Sequence, residues 1–345
     1  MPRVIFLNRF YWPDETATAQ LLADLAEALA GRGYAVSVIA SRPRESSVPQ
    51  NEERKRVRIM RIRSTRAENP SLAAKALDFA TFWLGALLRL AWDARRGDVI
   101  VALTDPPLVG IGAAVVARLR GARCIHWIQD IYPEVAVAVS GHGGLRALAP
   151  VRDAAWRRAE VCVTLGREMA GVVAAAGVPE EKIQVIANWV PAHLGAASPE
   201  EVAEVRTLWG SEGKFTVVYS GNLGRVHDLE PVLDAAEALR SDPRIVIVFA
   251  GAGALRPVLE AEAKRRGLDR VHFREPQPRG RLSAALAAGD LHLVTLRPGC
   301  EVAASSDRQA DATFLPVNAA MRVLTKSRSR EVAFLRSRPC LRTRR

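Results

Sequence analysis

The residues best placed to do chemistry lie in the stretch Val217–Ala236, VVYSGNLGRVHDLEPVLDAA. It reads as a buried strand, a glycine-bracketed turn and then a helix. A helix that opens just after such a turn points bare backbone N–H groups, and about half a positive charge, at whatever lies in front of it. That is a seat for a phosphate, lined here by Gly221, Asn222, Gly224, Arg225 and His227. A cation about 4 Å from a phosphate is worth roughly 4 kcal/mol at an effective dielectric of about 20. A neutral imidazole at His227 supplies much less, so the main charge falls on Arg225. A second strand, turn and helix follow at Ile245–Leu255, IVIVFAGAGAL, where Gly251 and Gly253 either let backbone come close to a ligand or simply turn the chain. Two such units in one half of the chain predict a nucleotide-binding domain.

The elements that must position these turns alternate along the whole chain. Strands are expected at Arg3–Leu7, Ala35–Ala40, Val57–Arg63, Asp98–Leu103, Arg123–Ile128, Val161–Thr164 and Ile183–Ile186, with helices between them, the first over Thr16–Ala30. The rhythm restarts with strands at Phe215–Ser220, Ile245–Ala250, Val271–Phe273 and Leu291–Thr295. This is the pattern of parallel sheets with helices on both faces. The fold class is therefore α/β, two Rossmann-like doubly wound domains in tandem, with a ligand cleft expected between the carboxyl ends of the two sheets. Residues 1–192 form the first domain, 193–213 a polar linker with a bridging helix, and 214–300 a second domain that stops partway through its sheet. Residues 301–345 lose the alternation, are rich in arginine and read as a disordered tail.

At 345 residues the chain can bury two ordinary cores, and its composition is that of a globular protein. A formal net charge of +12 suits phosphorylated ligands, anionic lipid or nucleic acid. No homeodomain, zinc-finger or RNP pattern is present, so nucleic acid is not expected. Four scattered cysteines without C-x-x-C spacing point to free thiols and a reducing compartment, with Cys124 and Cys162 in buried strands. The short apolar run Val4–Leu7 is a first strand rather than a signal peptide. Leu72–Arg96 places Phe79, Phe82, Trp83, Ala86, Leu87 and Leu90 on one helical face. It is far too short of charge-free residues to span a bilayer. Either that aromatic face inserts into an anionic membrane surface, or it is buried against the first sheet.

Four stretches, taken together, carry a resemblance over about residues 1–300. They are FYWPDETATAQ (10–20), IHWIQDIYPE (125–134), SGNLGR (220–225), and FAGAG (249–253) with REPQP (274–278). In order and spacing they resemble the family 4 glycosyltransferases of GT-B fold, in the bacterial branch that builds colanic acid and other exopolysaccharides. The resemblance implies a retaining transferase that moves a sugar from a uridine- or guanosine-diphosphate donor to a glycan acceptor, lipid-linked by analogy, at the cytoplasmic face of the cell membrane. It implies no separate cofactor. The absence of a D-x-D pair, or of any His/Cys cluster with ligand spacing, argues against a bound metal.

By the same resemblance Asp130 contacts a sugar and Arg225 neutralises the leaving diphosphate, which makes these two the catalytic candidates. Thr16 and Thr18 offer hydroxyls to a phosphate or sugar, though Thr16 also suits a plain helix cap. Gln129 stands where the wider family has a histidine, and His126, Gln129 and Glu134 are acceptor-side candidates, His126 being equally at home in a core. Gln277, within Pro276-Gln-Pro278, shapes the pocket for the base, and Asn188-Trp189 resembles the family's turn at the end of the first domain. The likeness ends near Glu301. The family's paired glutamates, or this branch's Pro-Ser-Lys-Leu, are not found there, and the tail reads as truncated or frame-shifted. An inactive remnant that binds membranes and a nucleotide-sugar epimerase of the same architecture are the alternatives.

Overall fold

The computed structural model describes residues 2–14, 16–43, 48–65, 72–189, 195–297, 300 and 333–336. They form two compact units that divide at residues 191/192.

Unit 1 is built on an eight-stranded sheet of order β3-β4-β2-β1-β5-β6-β7-β8. The strands are β1 (Val4–Leu7), β2 (Val36–Ser41), β3 (Asn51–Arg54), β4 (Val57–Ile62), β5 (Val99–Ala102), β6 (Arg123–Trp127), β7 (Val161–Thr164) and β8 (Ile183–Val185). All neighbours are parallel except the β3–β4 hairpin. The central strands are apolar at nearly every position because both faces of the sheet are covered. Val4 and Phe6 pack with Val36, Val38 and the α1 helix (Ala17–Gly31). The alternate residues Ile5 and Leu7 pack with Phe82, Ala86 and Leu90 of α2 (Leu72–Asp93), and with Val109, Ala113 and Val116 of α3 (Val109–Arg120).

The aromatic face of α2 is therefore core. Phe82, Ala86 and Leu90 are fully buried, so of the two alternatives for this face it is the burial against the sheet that holds. Two glycines let these layers close up: a Cβ at Gly85 would lie 2.4 Å from Ile62, and one at Gly112 2.3 Å from Leu87. Helices α4 (Glu134–Ser140), α5 (Ala149–Arg158) and α6 (Arg167–Ala175) complete the unit. Strand β3, with the sequence NEER, has no apolar signal and is not among the expected strands. It exists because Lys55 and Arg56, at φ 47° and 65°, turn the chain back onto β4 in the left-handed geometry that tight hairpins use.

Unit 2 holds β9 (Phe215–Ser220), β10 (Ile245–Ala250), β11 (Val271–Arg274), β12 (Leu291–Val294) and β13 (Ala333–Arg336), in the order β11-β10-β9-β12-β13. On one face Val217, Tyr219 and Phe249 pack against α8 (Glu230–Ala238) and α9 (Arg256–Arg265). On the other, Val218, Val246 and Val248 pack against α7 (Pro199–Trp209) and α10 (Leu282–Ala288).

Two expectations change here. The stretch read as a linker contributes α7, whose Val205 and Trp209 are buried in the core of unit 2 and whose start carries a Ser198–Glu201 capping box. The stretch read as a disordered tail contributes β13, antiparallel to β12 with Leu291 opposite Arg336, because the edge of β12 offers unpaired backbone groups to a returning strand. The rest of residues 301–345, Cys340 included, lies outside the described residues. Cys124, Cys162 and Cys300 are buried thiols outside any disulfide, and burial pushes Cys124 and Cys162 up to about 12.

Candidate active site

In unit 1 the polar residues gather at the carboxyl ends of β1, β5 and β6. Arg9 follows β1, pairs with Asp105 at 3.0 Å, and has its guanidinium over the rings of Phe10 and Phe79. Its backbone N–H donates to the Asp105 carbonyl. The Asp130 N–H, just past β6, donates to the Thr104 hydroxyl at 3.2 Å, which ties the loops after β5 and β6 together. A small pocket beside them is lined by Thr104, His126, Asp130, Tyr132, Arg152 and Trp156. The Tyr132 hydroxyl is held well above its usual range, first by burial and then by the carboxylates of Asp130 and Asp105.

The acceptor-side candidates fare differently from Asp130. His126 is buried, its ring lies where a Cβ on Gly110 would clash at 2.5 Å, and burial holds it down to about 4, so it is neutral. Gln129 is buried in a reciprocal amide pair with Asn188, at 3.3 and 3.2 Å, beside the stacked rings of Trp127 and Trp189. Glu134 pairs with the buried Arg152, which also donates to the Tyr132 carbonyl. These three side chains are occupied with holding the strand ends in place; Asp130 alone of the four lines the pocket while only partly buried. The Thr16 hydroxyl accepts from the Ala19 N–H at 3.3 Å and caps α1, with the Thr18 hydroxyl 3.5 Å away. That is the plain-cap alternative.

In unit 2 the two glycine turns sit side by side and interlock. Gly221 N–H donates to the Ala250 carbonyl, Leu223 N–H to Ala252, and Leu255 N–H back to Leu223. A Cβ at Gly251 would lie 1.9 Å from the Gly221 carbonyl oxygen, and one at Gly253, where φ is +154°, 2.4 Å from that of Leu223. What these glycines admit is the backbone of the neighbouring turn. The helix start also differs from expectation: α8 begins at Glu230, beyond the turn, with a carboxylate in its own first turn.

The candidate for the expected phosphate seat is thus the turn itself. Among the described residues, the N–H groups of Asn222, Gly224 and Arg225 donate to no protein acceptor, and the exposed Arg225 guanidinium has no protein partner. His227 is fixed by an Nδ1 contact with the Thr295 carbonyl at 2.7 Å and stands edge-on to Tyr219, whose hydroxyl donates to the Asn222 carbonyl. Gln277 lies apart from the turn, its amide donating to the Glu275 carbonyl. A concavity at the amino ends of β10 and β11, lined by Arg240, Ile245, Arg270 and Val271, lies away from both glycine turns. Among the described residues no group of three or more His, Cys, Asp or Glu side chains is placed to hold a metal ion.

Reading motifs missed Arg9, Thr104, Asp105 and Tyr132. The pair Asp105-Pro106 directly after an apolar strand was the available signal for a loop at the sheet's carboxyl edge.

Comparison with known proteins agrees with this architecture. A glycosyl transferase 4-like domain model matches residues 16–189. The putative colanic acid biosynthesis glycosyl transferase WcaI of Escherichia coli is 26% identical over 309 residues, 84% of this chain and 75% of that protein. The probable glycosyltransferase WbjE of Pseudomonas aeruginosa is 25% identical over 216 residues, 61% of this chain and 54% of that protein. The structure of Anabaena HepE in complex with UDP-glucose superposes at a TM-score of 0.61 with 15% identity, covering 84% of this chain and 72% of that one, a likeness of fold alone. With the family's model spanning half of the chain and a GT-B architecture around it, the protein belongs to the glycosyl transferase 4-like family and is a glycosyltransferase.

Proposed function

We propose that this enzyme transfers a sugar from a uridine- or guanosine-diphosphate donor to a glycan acceptor carried on a lipid, with retention at the anomeric carbon, in the synthesis of a cell-surface polysaccharide. A relative named for colanic acid biosynthesis and a neighbour bound to UDP-glucose support this substrate class. The observation that carries the reading is the Ser220–His227 turn, with the undonated N–H groups of Asn222, Gly224 and Arg225 and the unpartnered Arg225 side chain.

In this reading the turn and Arg225 hold the diphosphate and stabilise the negative charge it gains as the glycosidic bond breaks. His227 donates from Nδ1 to the Thr295 carbonyl, which fixes its ring beside the turn. The acceptor hydroxyl forms the new bond on the face the diphosphate leaves, and the departing phosphate oxygen takes its proton. Asp130 orients a sugar hydroxyl. Catalysis is then positioning plus charge stabilisation, and no step calls on a metal. The acceptor places the enzyme at the inner face of the cell membrane as a peripheral protein.

The test is calorimetric titration of UDP and GDP into the protein and into Arg225→Ala. Loss of a charge-assisted hydrogen bond, worth about 1.5–3 kcal/mol, weakens the preferred diphosphate roughly 10- to 150-fold. Unchanged affinity in the variant would remove the assigned phosphate seat.

A further inference from the structure

With the aromatic face of α2 buried, the opposite face of the same helix carries a second apolar row. Leu77, Leu84, Leu88 and Trp92 recur every four or seven residues and point outward, Leu84 at 64% and Trp92 at 85% exposure. The row continues across neighbouring helices. Val115 and Leu119 of α3 are exposed, the latter at 78%, and so are Leu148 and Val151 at the start of α5. These helices pack in sequence, α2 on α3 and α3 on α5, over one face of the sheet. Half of the sixteen exposed large apolar side chains among the described residues belong to this one layer. Unpartnered apolar surface gathered in this way marks a docking face rather than scattered exposure.

The charges at the C-terminal ends of these helices are predominantly positive, with Glu160 after α5 an exposed carboxylate among them. Exposed Arg95 and Arg96 follow α2, Arg118 and Arg120 end α3, and Arg157 and Arg158 end α5. The carboxylates on these helices are otherwise engaged: Asp78 is buried, Asp93 pairs with Arg3 and Arg58, and Asp153 pairs with Arg152. An apolar row with an exposed tryptophan, flanked at the helix ends by six exposed arginines, matches the interface of an anionic bilayer. Trp sits there with its ring at headgroup depth and arginines reach the lipid phosphates. No helix among the described residues is long and apolar enough to cross a membrane, so contact here is with the surface.

We propose that the outer layer of α2, α3 and α5 docks unit 1 flat onto an anionic lipid surface through Leu77, Leu84, Leu88, Trp92, Val115 and Leu119. The inference deepens the peripheral location proposed above and rests on it. It differs from the membrane alternative read from the sequence in using the opposite face of α2.

The experiment is co-sedimentation of the full chain with vesicles of neutral phosphatidylcholine alone and with about a third phosphatidylglycerol, at low and high salt. It is run on the wild type, on Leu84→Glu/Leu88→Glu and on Arg118→Glu/Arg120→Glu. UDP titration and thermal melting on the same samples report separately on the donor site and on folding. The expected result is binding to anionic vesicles that falls at high salt, with a blue shift of fluorescence that Trp92→Phe removes. Each double variant is expected to bind lipid at least tenfold more weakly while keeping UDP affinity and melting temperature. The proposal is overturned if anionic vesicles do not bind, if both variants bind as the wild type does, or if the wild type is a dimer that Leu84→Glu/Leu88→Glu converts to monomer. Loss of UDP binding in the wild type, with lipid binding intact, would count against the donor reading and leave the docking face standing.

Discussion

Gly251 and His126 each show how one residue's neighbours decide its role. Gly251 has the look of a ligand-facing glycine, but the atom nearest a Cβ there is the Gly221 carbonyl oxygen at 1.9 Å. Gly251→Ala is expected to force the two turns apart at a cost of about 1–3 kcal/mol, and to weaken diphosphate binding because Asn222 and Gly224 move with Gly221. Urea unfolding combined with UDP titration checks both effects, and a variant with wild-type values for each would contradict the interlocked turns. His126 is held neutral by burial, at about 4 against an ordinary 6.5. Below pH 6.5 the unfolded chain takes up a proton that the folded chain refuses until about pH 4. The group's contribution is therefore complete above pH 6.5 and declines as pH falls through that window, by roughly 3 kcal/mol in all. Stability compared at pH 7.5 and 4.5 should show a smaller acid loss in His126→Leu than in the wild type. His292, also lowered by burial, leaves a residual slope in both proteins. Equal slopes in the two would show that His126 is not the group responsible.

At the scale of elements, α7 and the loop after β1 are the informative cases. A bridging helix would tolerate truncation of its side chains, whereas α7 buries Trp209 and Val205 among Val218, Val246 and Ala285. Trp209→Ala should cost about 3–5 kcal/mol in unfolding free energy, and Ser198→Ala, which removes the capping hydroxyl, about 1 kcal/mol. Losses near zero for both would return α7 to the role of linker. The loop after β1 is anchored from a distance. The buried Arg61 of β4 donates to the Trp12 and Pro49 carbonyls and pairs with Glu52, while Arg54 of β3 lies over the Trp12 ring. The polar hairpin β3–β4 thereby holds the stretch that leads into the Thr16 cap. Arg61→Met removes these anchors and should raise the protease sensitivity of the loop, read by limited digestion, with the cap on α1 still formed.

For the molecule as a whole, the two units differ in how much of each the chain specifies locally. Unit 1 covers both faces of its sheet with its own helices, so residues 1–191 made alone should unfold in one cooperative transition; a broad, non-cooperative melt would refute that independence. The α/β alternation, the strand positions and both glycine turns were legible in the sequence, because parallel strands buried on two faces must be continuously apolar and the helices between them must be periodic. The family-level resemblance was legible for the same reason, since its motifs sit at strand ends that local pattern already marks. Strands β3 and β13 were not, because they owe their existence to pairing with β4 and β12 rather than to apolar content. Nor could local pattern say which of two apolar faces of α2 would be core. Phe82, Ala86 and Leu90 and the opposed row of Leu77, Leu84, Leu88 and Trp92 satisfy the same period, and only packing against Ile62, Met60 and α3 selects between them. Likewise Glu134, Gln129 and Gly251 carried the residue types of a ligand site, and it took Arg152, Asn188 and Gly221, brought close by tertiary folding, to give them other partners. Periodicity along a chain specifies which elements form and how polar each face is; the partner that each face or side chain meets is decided by contacts between residues far apart in sequence.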